Sequence, residues 1–385
     1  MVSHVERGAM PGLIPLVARR GRAHVDVIGA GAFGDNKPLS RDAIFRIASL
    51  TKPIAAVAAM MLIEDGVLGL DDTVDELLPE LASRKVLRSL DAELDDTVPA
   101  VRPITVNDVL TFRLGFGNIM VPPSTYPIQR AEEELQLKSL GPPWPPTPHT
   151  PDVWIQRLGT LPLMYQPGER WLYDTGAQVL GVLIERAADK PLEAFLRERI
   201  FGPLGMDDTN FSVSPRQLGR LTTAYAPDPE SGALGILDGV EGSYWNVPPA
   251  FPSAAAWLVS TIDDYWTFVQ MMLNRGVHEG VPVISEASVE LITTDQLTGP
   301  QRKAGRPILA EQEGWGLGLM APAADRDGRG VPGGYGWNGG TGTTWRSDID
   351  RDLTGILFTQ RAVTSPEPPE VVTDFWNGAY QAIED

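Results

Sequence analysis

Apolar and polar positions divide the chain into two strand-rich ends and a helical middle. Residues 13–19 and 23–28 are short alternating apolar runs, and Arg20-Gly21-Arg22 between them predicts a hairpin. A glycine-rich turn, 29–34, follows. Residues 53–65 are rich in alanine, methionine and leucine and end at Gly66, which predicts a helix with a glycine stop. Residues 71–88 and 105–112 carry amphipathic patterns that predict helices, as do 175–189, 192–201, 261–275 and 285–293. The last third changes character. Residues 314–320, 334–347 and 353–360 are glycine-rich and strand-like, and 371–384 closes the chain as a helix. The pattern predicts one sheet built from both chain ends (1–70 and 250–385) with a mostly helical domain, 71–249, inserted between them. A cleft between the two is the default site.

One segment breaks the pattern. Residues 137–151 hold Pro142, Pro143, Pro145, Pro146, Pro148 and Pro151 around Trp144. Such a run is neither helix nor central strand. It reads as a surface loop, or as a stiff flap over a pocket with Trp144 as its apolar tip.

Composition narrows the chemistry. The 385 residues are enough for two domains or one large composite one. A formal net charge of −18 argues against nucleic acid or an anionic membrane as the main partner. The absence of cysteine excludes disulfides, thiolate catalysis, Cys-bound zinc and iron–sulfur clusters. The four histidines, His4, His24, His149 and His278, have no metal-ligand spacing, so neither metal nor cofactor is expected. The longest apolar run, 53–63, is too short to span a bilayer, and the first residues lack a basic stretch followed by an apolar one. The expected setting is cytoplasmic.

Gly29-Ala-Gly-Ala-Phe-Gly34 matches the dinucleotide pattern G-x-G-x-x-G. In that pattern the third glycine opens a helix whose N-terminus holds the pyrophosphate. Here Gly34 precedes the turn sequence Asp35-Asn-Lys-Pro38, and the approach is a hairpin. A tight turn is the expectation.

Ser49-Leu-Thr-Lys52 is the only S-x-x-K in the chain, at the start of the strongest helix. Three residues apart, Ser49 and Lys52 share a helix face, so the amine can reach the hydroxyl. Pro53 falls in the first turn, where amides lack intrahelical partners. A buried lysine can act as a base, or its charge can favour ionisation of a nearby phenol. The competing reading is a serine N-cap beside a solvated lysine.

Phe45-Arg-Ile-Ala-Ser49-Leu-Thr-Lys52-Pro53 resembles the first motif of the serine β-lactamase and penicillin-binding-protein superfamily, in its class C β-lactamase and family VIII carboxylesterase branch. Gln166-Pro-Gly-Glu-Arg-Trp-Leu-Tyr173-Asp-Thr175-Gly176 resembles the segment ending in Tyr-x-Asn. Trp337-Asn-Gly-Gly-Thr-Gly342 resembles the strand motif Lys-Thr-Gly-Ser-Thr-Gly. Supporting matches are Glu64-Asp-Gly-Val-Leu-Gly-Leu-Asp-Asp72, Asp108-Val-Leu-Thr111 and Phe201-Gly-Pro-Leu-Gly-Met-Asp207, all in order. The resemblance implies an α/β (α+β) fold of β-lactamase/transpeptidase type, an antiparallel sheet flanked by helices with an inserted mostly helical domain. It implies that Ser49 is the acylated nucleophile. Tyr173 would be the general base, its phenolate favoured by Lys52, and would later activate the deacylating water. The backbone N–H groups of Ser49 and Gly340 would form the oxyanion hole. Without the resemblance, Tyr173 is equally a buried core tyrosine. No G-x-S-x-G is present, so an α/β-hydrolase elbow is not available.

The chain departs from that pattern in ways that bear on substrate. Thr175 replaces the asparagine of Tyr-x-Asn, and a hydroxyl can still bond Lys52 or a substrate carbonyl. Trp337 replaces the lysine that would help hold a β-lactam carboxylate, and Asn338 replaces the threonine. Phe112-Arg-Leu-Gly115 stands where many relatives have His-Thr-Ser-Gly and reads as structural. Thr175, Trp337, Asn338, Gly339, Trp144 and Tyr244 form the expected substrate-binding set. Trp245 and Trp257 are further candidates for an apolar acyl pocket, against a competing role in the core. Arg346 reads as an ion-pair partner. The expected activity is a carboxylesterase on small esters, or amides, through an acyl-enzyme. The alternatives are a β-lactamase or D-alanyl-D-alanine carboxypeptidase, an acyltransferase, and a non-catalytic binding protein of the same fold.

Overall fold

A computed structural model describes residues 1–138, 146–323, 334–365 and 367–384. Its centre is an eight-stranded antiparallel sheet drawn from both ends of the chain. The amino-terminal part supplies β1 (Gly12–Arg19) and β2 (Arg22–Val25), with Ile28–Gly29 pairing on β1. The carboxy-terminal part supplies β3 (Glu313–Trp315), β4 (Met320–Pro322), β5 (Tyr335–Gly339), β6 (Thr343–Asp348) and β7 (Leu353–Thr359). The order across the sheet is β3-β4-β5-β6-β7-β1-β2.

The predicted first hairpin is present. Arg20 and Gly21 both have positive φ, 52° and 71°, the geometry that matches the twist of flanking strands in a two-residue turn. The 29–34 turn also forms, with Ala30 bridging Pro38 and no helix opening at Gly34.

The middle of the sheet explains why its strands are nearly continuous apolar runs. Every residue of β7 is buried, because helices cover both faces. Ile356 and Phe358 point toward α5 (Ile262–Leu273), where the Tyr265 ring lies 6.0 Å from Phe358. Leu357 points the other way, joining Leu13, Val371 and Phe375 under α6 (Glu370–Glu384).

The predicted helix at 53–65 is α1 (Thr51–Glu64). It is buried all round from Thr51 to Leu62, as expected of a helix with no polar face. Gly66, at φ +72°, ends it in the left-handed region. The α1 N-terminus meets the sheet at Gly318, in the turn joining β3 and β4. A Cβ there would lie 2.8 Å from Ala56 Cβ and 3.2 Å from the Lys52 carbonyl oxygen, so glycine is what lets the turn sit on the helix.

Several expectations are corrected. Residues 71–88 are not a helix but two 3₁₀ turns, Val74–Glu76 and Pro79–Leu81, and a strand, Lys85–Leu87. Pro79 holds Leu78 out of the helical region, and Ser83 at φ +49° breaks the path again. Residues 314–320 are not one strand, because 316–319 turn between β3 and β4. Residues 334–347 likewise fold as the β5–β6 hairpin around 340–342. The predicted helix at 105–112 shortens to α2 (Val106–Leu110), capped reciprocally by Thr105 and Asp108. The next two helices used below are α3 (Pro127–Glu134) and α4 (Thr175–Ala188). Among the described residues, no helix is long and apolar enough to cross a membrane.

Candidate active site

Ser49 sits in a single 3₁₀ turn, Ala48–Leu50, between the short strand Phe45–Arg46 and α1. Ala48 bends the chain there at φ +44°, a conformation that costs an L-residue roughly 1–2 kcal/mol. The surroundings hold the bend. Phe45–Arg46 pairs with Val259–Ser260. Arg46 is buried, with Nε donating to Asp238 Oδ2 at 2.6 Å and its guanidinium 5.2 Å from the Trp245 ring. The Thr341 hydroxyl donates to the Arg46 carbonyl, and the Thr343 hydroxyl to the Ile47 carbonyl at 3.1 Å. The β5–β6 turn is therefore laced to the segment just ahead of Ser49. Gly339 makes this approach possible, since a Cβ would collide with the Ile47 carbonyl.

The hydroxyl of Ser49 is half-buried and meets two groups. Lys52 Nζ donates to Ser49 Oγ at 2.9 Å, and the Tyr173 hydroxyl donates to it at 2.8 Å. Lys52 is only 1% exposed, so the reading of a solvated lysine does not hold. A buried ammonium needs a partner for every N–H. Besides Ser49, Nζ donates to the Ala255 carbonyl at 2.7 Å and to Asp174 Oδ2 at 3.4 Å. It also lies 4.4 Å from the centre of the Tyr173 ring.

Tyr173 is walled by aromatic rings. Phe112, Trp171, Trp315 and Trp337 lie 5.9, 5.7, 6.3 and 5.7 Å from it, centre to centre. Phe112, placed as structural, packs here. Trp337 occupies the β5 position of the expected lysine and donates its Nε1–H to the Tyr173 hydroxyl at 2.9 Å. The cation is thus replaced by one neutral donor on an apolar wall.

The remaining expected residues divide. Asn338 is exposed and points to the opposite face of β5 from Trp337, its Oδ1 accepting from the Thr344 hydroxyl at 2.7 Å. Gly340 lies in the turn next to Gly339, with open space where a side chain would project. Thr175 is buried at the start of α4, but the partners of Lys52 are Ser49, Ala255 and Asp174, so the expected contact is made one residue earlier. Tyr244 is 38% exposed, in a 3₁₀ turn whose amide donates to Asp238. Trp245 and Trp257 are 1% and 0% exposed and stacked 4.6 Å apart, which makes them core under Arg46 rather than pocket wall. Trp144 and part of the proline-rich segment lie outside the described residues. Arg346 pairs with Glu313 at 2.6 Å. Among the described residues, no cluster of His, Asp and Glu could hold a metal ion.

Sequence reasoning missed Asp174 and Asn118. Asp174 is 2% exposed, and its Oδ1 accepts from Asn118 Nδ2 at 3.3 Å. Asn118 is fixed in turn by its backbone N–H, which donates to the Tyr173 carbonyl. Gly117 permits that approach, because a Cβ would lie 2.9 Å from the same carbonyl. The signal for Asp174 lay between Tyr173 and Thr175, at the position the motif leaves free.

The fold defines a class, the proteins of β-lactamase type, and an esterase stands among the relatives of this chain. The family model described as Beta-lactamase matches residues 1–373, and the chain belongs to that family. It is 38% identical over 365 residues to Protein Rv1367c of Mycobacterium tuberculosis (strain ATCC 25618 / H37Rv), covering 92% of this chain and 87% of that protein. It is 30% identical over 350 residues to the lovastatin esterase of Penicillium rubens, covering 84% and 81%. Among solved structures, EstCE1, described as a hydrolase with promiscuous acyltransferase activity, superimposes with a TM-score of 0.77 at 24% identity, over 97% of this chain and 95% of that one.

Proposed function

We propose that the protein is a serine hydrolase that forms an acyl-enzyme on Ser49 and acts as a carboxylesterase on small esters. The observation that carries this reading is the convergence of Lys52 Nζ and the Tyr173 hydroxyl on Ser49 Oγ, at 2.9 and 2.8 Å. Both are within proton-transfer reach of a nucleophile. Ser49 Oγ attacks the ester carbonyl. The N–H groups of Ser49 and Gly340 receive the developing oxyanion. The alcohol leaves with a proton returned from the base, and water repeats the sequence on the acyl-enzyme. Trp337 supports esters over β-lactams, because an indole supplies no charge for a substrate carboxylate. The esterase name of one relative points the same way.

Acyl transfer is the second reading. It uses the same residues with an alcohol or amine in place of water, and the acyltransferase activity of EstCE1 favours it. Product analysis with an acceptor alcohol present separates the two.

The test is hydrolysis of p-nitrophenyl butyrate and nitrocefin by wild type and Ser49→Ala. Ester turnover abolished in the variant, with little nitrocefin cleavage, is the expected result. Rapid nitrocefin turnover would replace esterase by β-lactamase. A variant as active as wild type would remove Ser49 from the chemistry.

A further inference from the structure

The glycine pattern at 29–34 takes no part in the site at Ser49, yet it helps wall a cavity. That cavity has a volume of about 160 Å³, and none of Ser49, Lys52 and Tyr173 lines it. Its main walls are the glycine turn, the loop after it and the segment 218–223. These walls are tied to each other. The Thr223 amide donates to the Gly31 carbonyl at 3.0 Å, and the Gln360 side-chain amide donates to the carbonyls of both Gly31 and Thr223. Behind 218–223, the Ile44 amide donates to the Arg220 carbonyl at 2.8 Å and the Thr222 amide to the Ile44 carbonyl at 3.0 Å. A cavity held this way is preformed, so filling it requires little ordering.

Size and lining narrow what it takes. A space of roughly 150 Å³ holds one molecule the size of benzene. A dinucleotide, the ligand of the G-x-G-x-x-G pattern, is far larger. Leu39, Leu218 and Val240 give the cavity apolar surface, which an inorganic ion does not use. The charged lining residues are Lys37, Arg220 and Asp35, two cations against one carboxylate, in a chain whose formal net charge is −18. The Arg220 charge is answered by Asp208 at 2.7 Å. Asp35 holds the loop, its Oδ1 accepting the Lys37 amide N–H at 2.8 Å. Among the described residues, Lys37 Nζ has no ion-pair or hydrogen-bond partner, and neither do the hydroxyls of Ser40 and Thr223. Thr223 is 6% exposed, and a hydroxyl that deep takes its partner from whatever fills the cavity it lines. An ammonium and two hydroxyl donors beside an apolar wall match a carboxylate on a short alkyl chain.

We propose that this cavity is a second ligand site, separate from Ser49, for a short-chain carboxylate. The carboxylate meets Lys37, Ser40 and Thr223, and the alkyl chain lies on Leu39, Leu218 and Val240. The site does not depend on the acyl-enzyme reading above. Butyrate, about the size of benzene, is the probe. It is titrated calorimetrically at low salt into the whole chain carrying Ser49→Ala, so that no turnover by the nucleophile contributes. The same protein carrying Lys37→Gln, Thr223→Val or Asp35→Asn in addition is titrated in parallel. Butyrate should bind with a Kd of roughly 1 mM. Lys37→Gln removes the charge, Thr223→Val keeps the shape and removes the hydroxyl, and each should weaken binding about fivefold. Asp35→Asn keeps the loop's acceptor, removes a like charge and should tighten binding about twofold. Butyramide, the neutral isostere, should bind at least about fivefold more weakly than butyrate. No butyrate binding at about 50 mM would overturn the site. Binding that neither Lys37→Gln nor Thr223→Val weakens would place the acid elsewhere and overturn it too. Butylammonium binding more tightly than butyrate, and weakened by Asp35→Asn, would make this a site for cations and overturn the carboxylate. Should Thr223→Val not fold, the exposed Lys37→Gln decides alone. Because the titrated protein lacks the nucleophile, failure of the esterase reading would leave this result standing.

Discussion

The two sides of Ser49 are built from opposite materials. On the Lys52 side the amine meets hydrogen-bond acceptors, a carbonyl from Ala255 and the carboxylate of Asp174, with the amide of Asn118 behind the carboxylate. On the Tyr173 side the walls are four aromatic rings, and the hydroxyl hydrogen-bonds Ser49 and the indole N–H of Trp337. The first side is arranged to hold a permanent charge. The second suits a charge that exists only transiently, since a low-polarity wall with one donor stabilises an anion modestly. On the proposed acyl-enzyme chemistry the difference teaches a division of labour, in which the Lys52–Asp174 ion pair organises the site and Tyr173 moves the proton.

The largest effect should follow from removing the stored charge. Lys52→Met fills much of the same volume and should lower kcat by roughly 1,000-fold on p-nitrophenyl butyrate. It also leaves Asp174 buried without its counter-ion, which should cost up to about 3 kcal/mol in urea unfolding. The double variant Lys52→Met/Asp174→Asn sharpens the comparison. It should recover most of the stability and none of the activity. Stability unchanged in the single variant would break the claim that this side is organised around a charge pair.

The two sides also differed in how readable they were. Ser49 and Lys52 are three residues apart across the junction of the 3₁₀ turn and α1, so a local pattern contained their contact. Tyr173 and Trp337 are far apart in the chain and were reachable only through resemblance to motifs. The same resemblance pointed to Tyr173 beside Ser49, and left Thr175 free to bond either Lys52 or a substrate carbonyl; the side-chain carboxylate that meets Lys52 is that of Asp174, one residue earlier. Ala255 contributes a backbone carbonyl, which any residue carries, so no side-chain pattern could mark it. The sheet was legible because its strands alternate or run apolar. The 71–88 segment was not, because its amphipathic spacing survives in a chain whose Pro79 forbids the helix. Trp245 and Trp257 show the same limit: indoles suit a pocket wall and a core equally, and only packing tells them apart.

A smaller effect tests the tyrosine side. Trp337→Phe keeps the ring against Trp315, now 4.7 Å away, and removes the N–H donated to Tyr173. That donor favours the phenolate form Tyr173 needs in order to act as base, and a hydrogen bond to a charged group is worth about 1.5–3 kcal/mol, so kcat should fall roughly 10- to 100-fold with little change in KM. Trp337→Lys returns a cation to β5 and should raise nitrocefin cleavage relative to ester turnover. Loss of kcat in Trp337→Phe comparable to that in Lys52→Met would mean the indole carries as much of the chemistry as the ammonium, and the division of labour would fail.

The smallest effect is on stability and reads the charged side from behind. Glu132 on α3 is 8% exposed, and its carboxyl is raised from 4.5 to about 7, first by burial, with the negative charge of Asp174 adding to the rise and Lys138 opposing it. The sign follows from where the protons are. Between pH 4.5 and 7 the folded protein keeps a proton that the unfolded chain has released, so stability falls as pH rises through this window. The contribution is fully present below 4.5 and is lost above about 7, to a total of up to roughly 3 kcal/mol for a group this buried. Glu132→Gln mimics the protonated form at every pH. Urea unfolding of the two proteins in parallel cancels the other titrating groups. The variant should match wild type near pH 4.5 and exceed it progressively toward pH 8. The double variant Glu132→Gln/Asp174→Asn should gain less from the glutamine than the single one does, because part of the penalty on Glu132 is repulsion from Asp174. Parallel curves for wild type and Glu132→Gln across the window would mean that Glu132 finds compensation of its own, and that the charge behind Lys52 ends at Asp174.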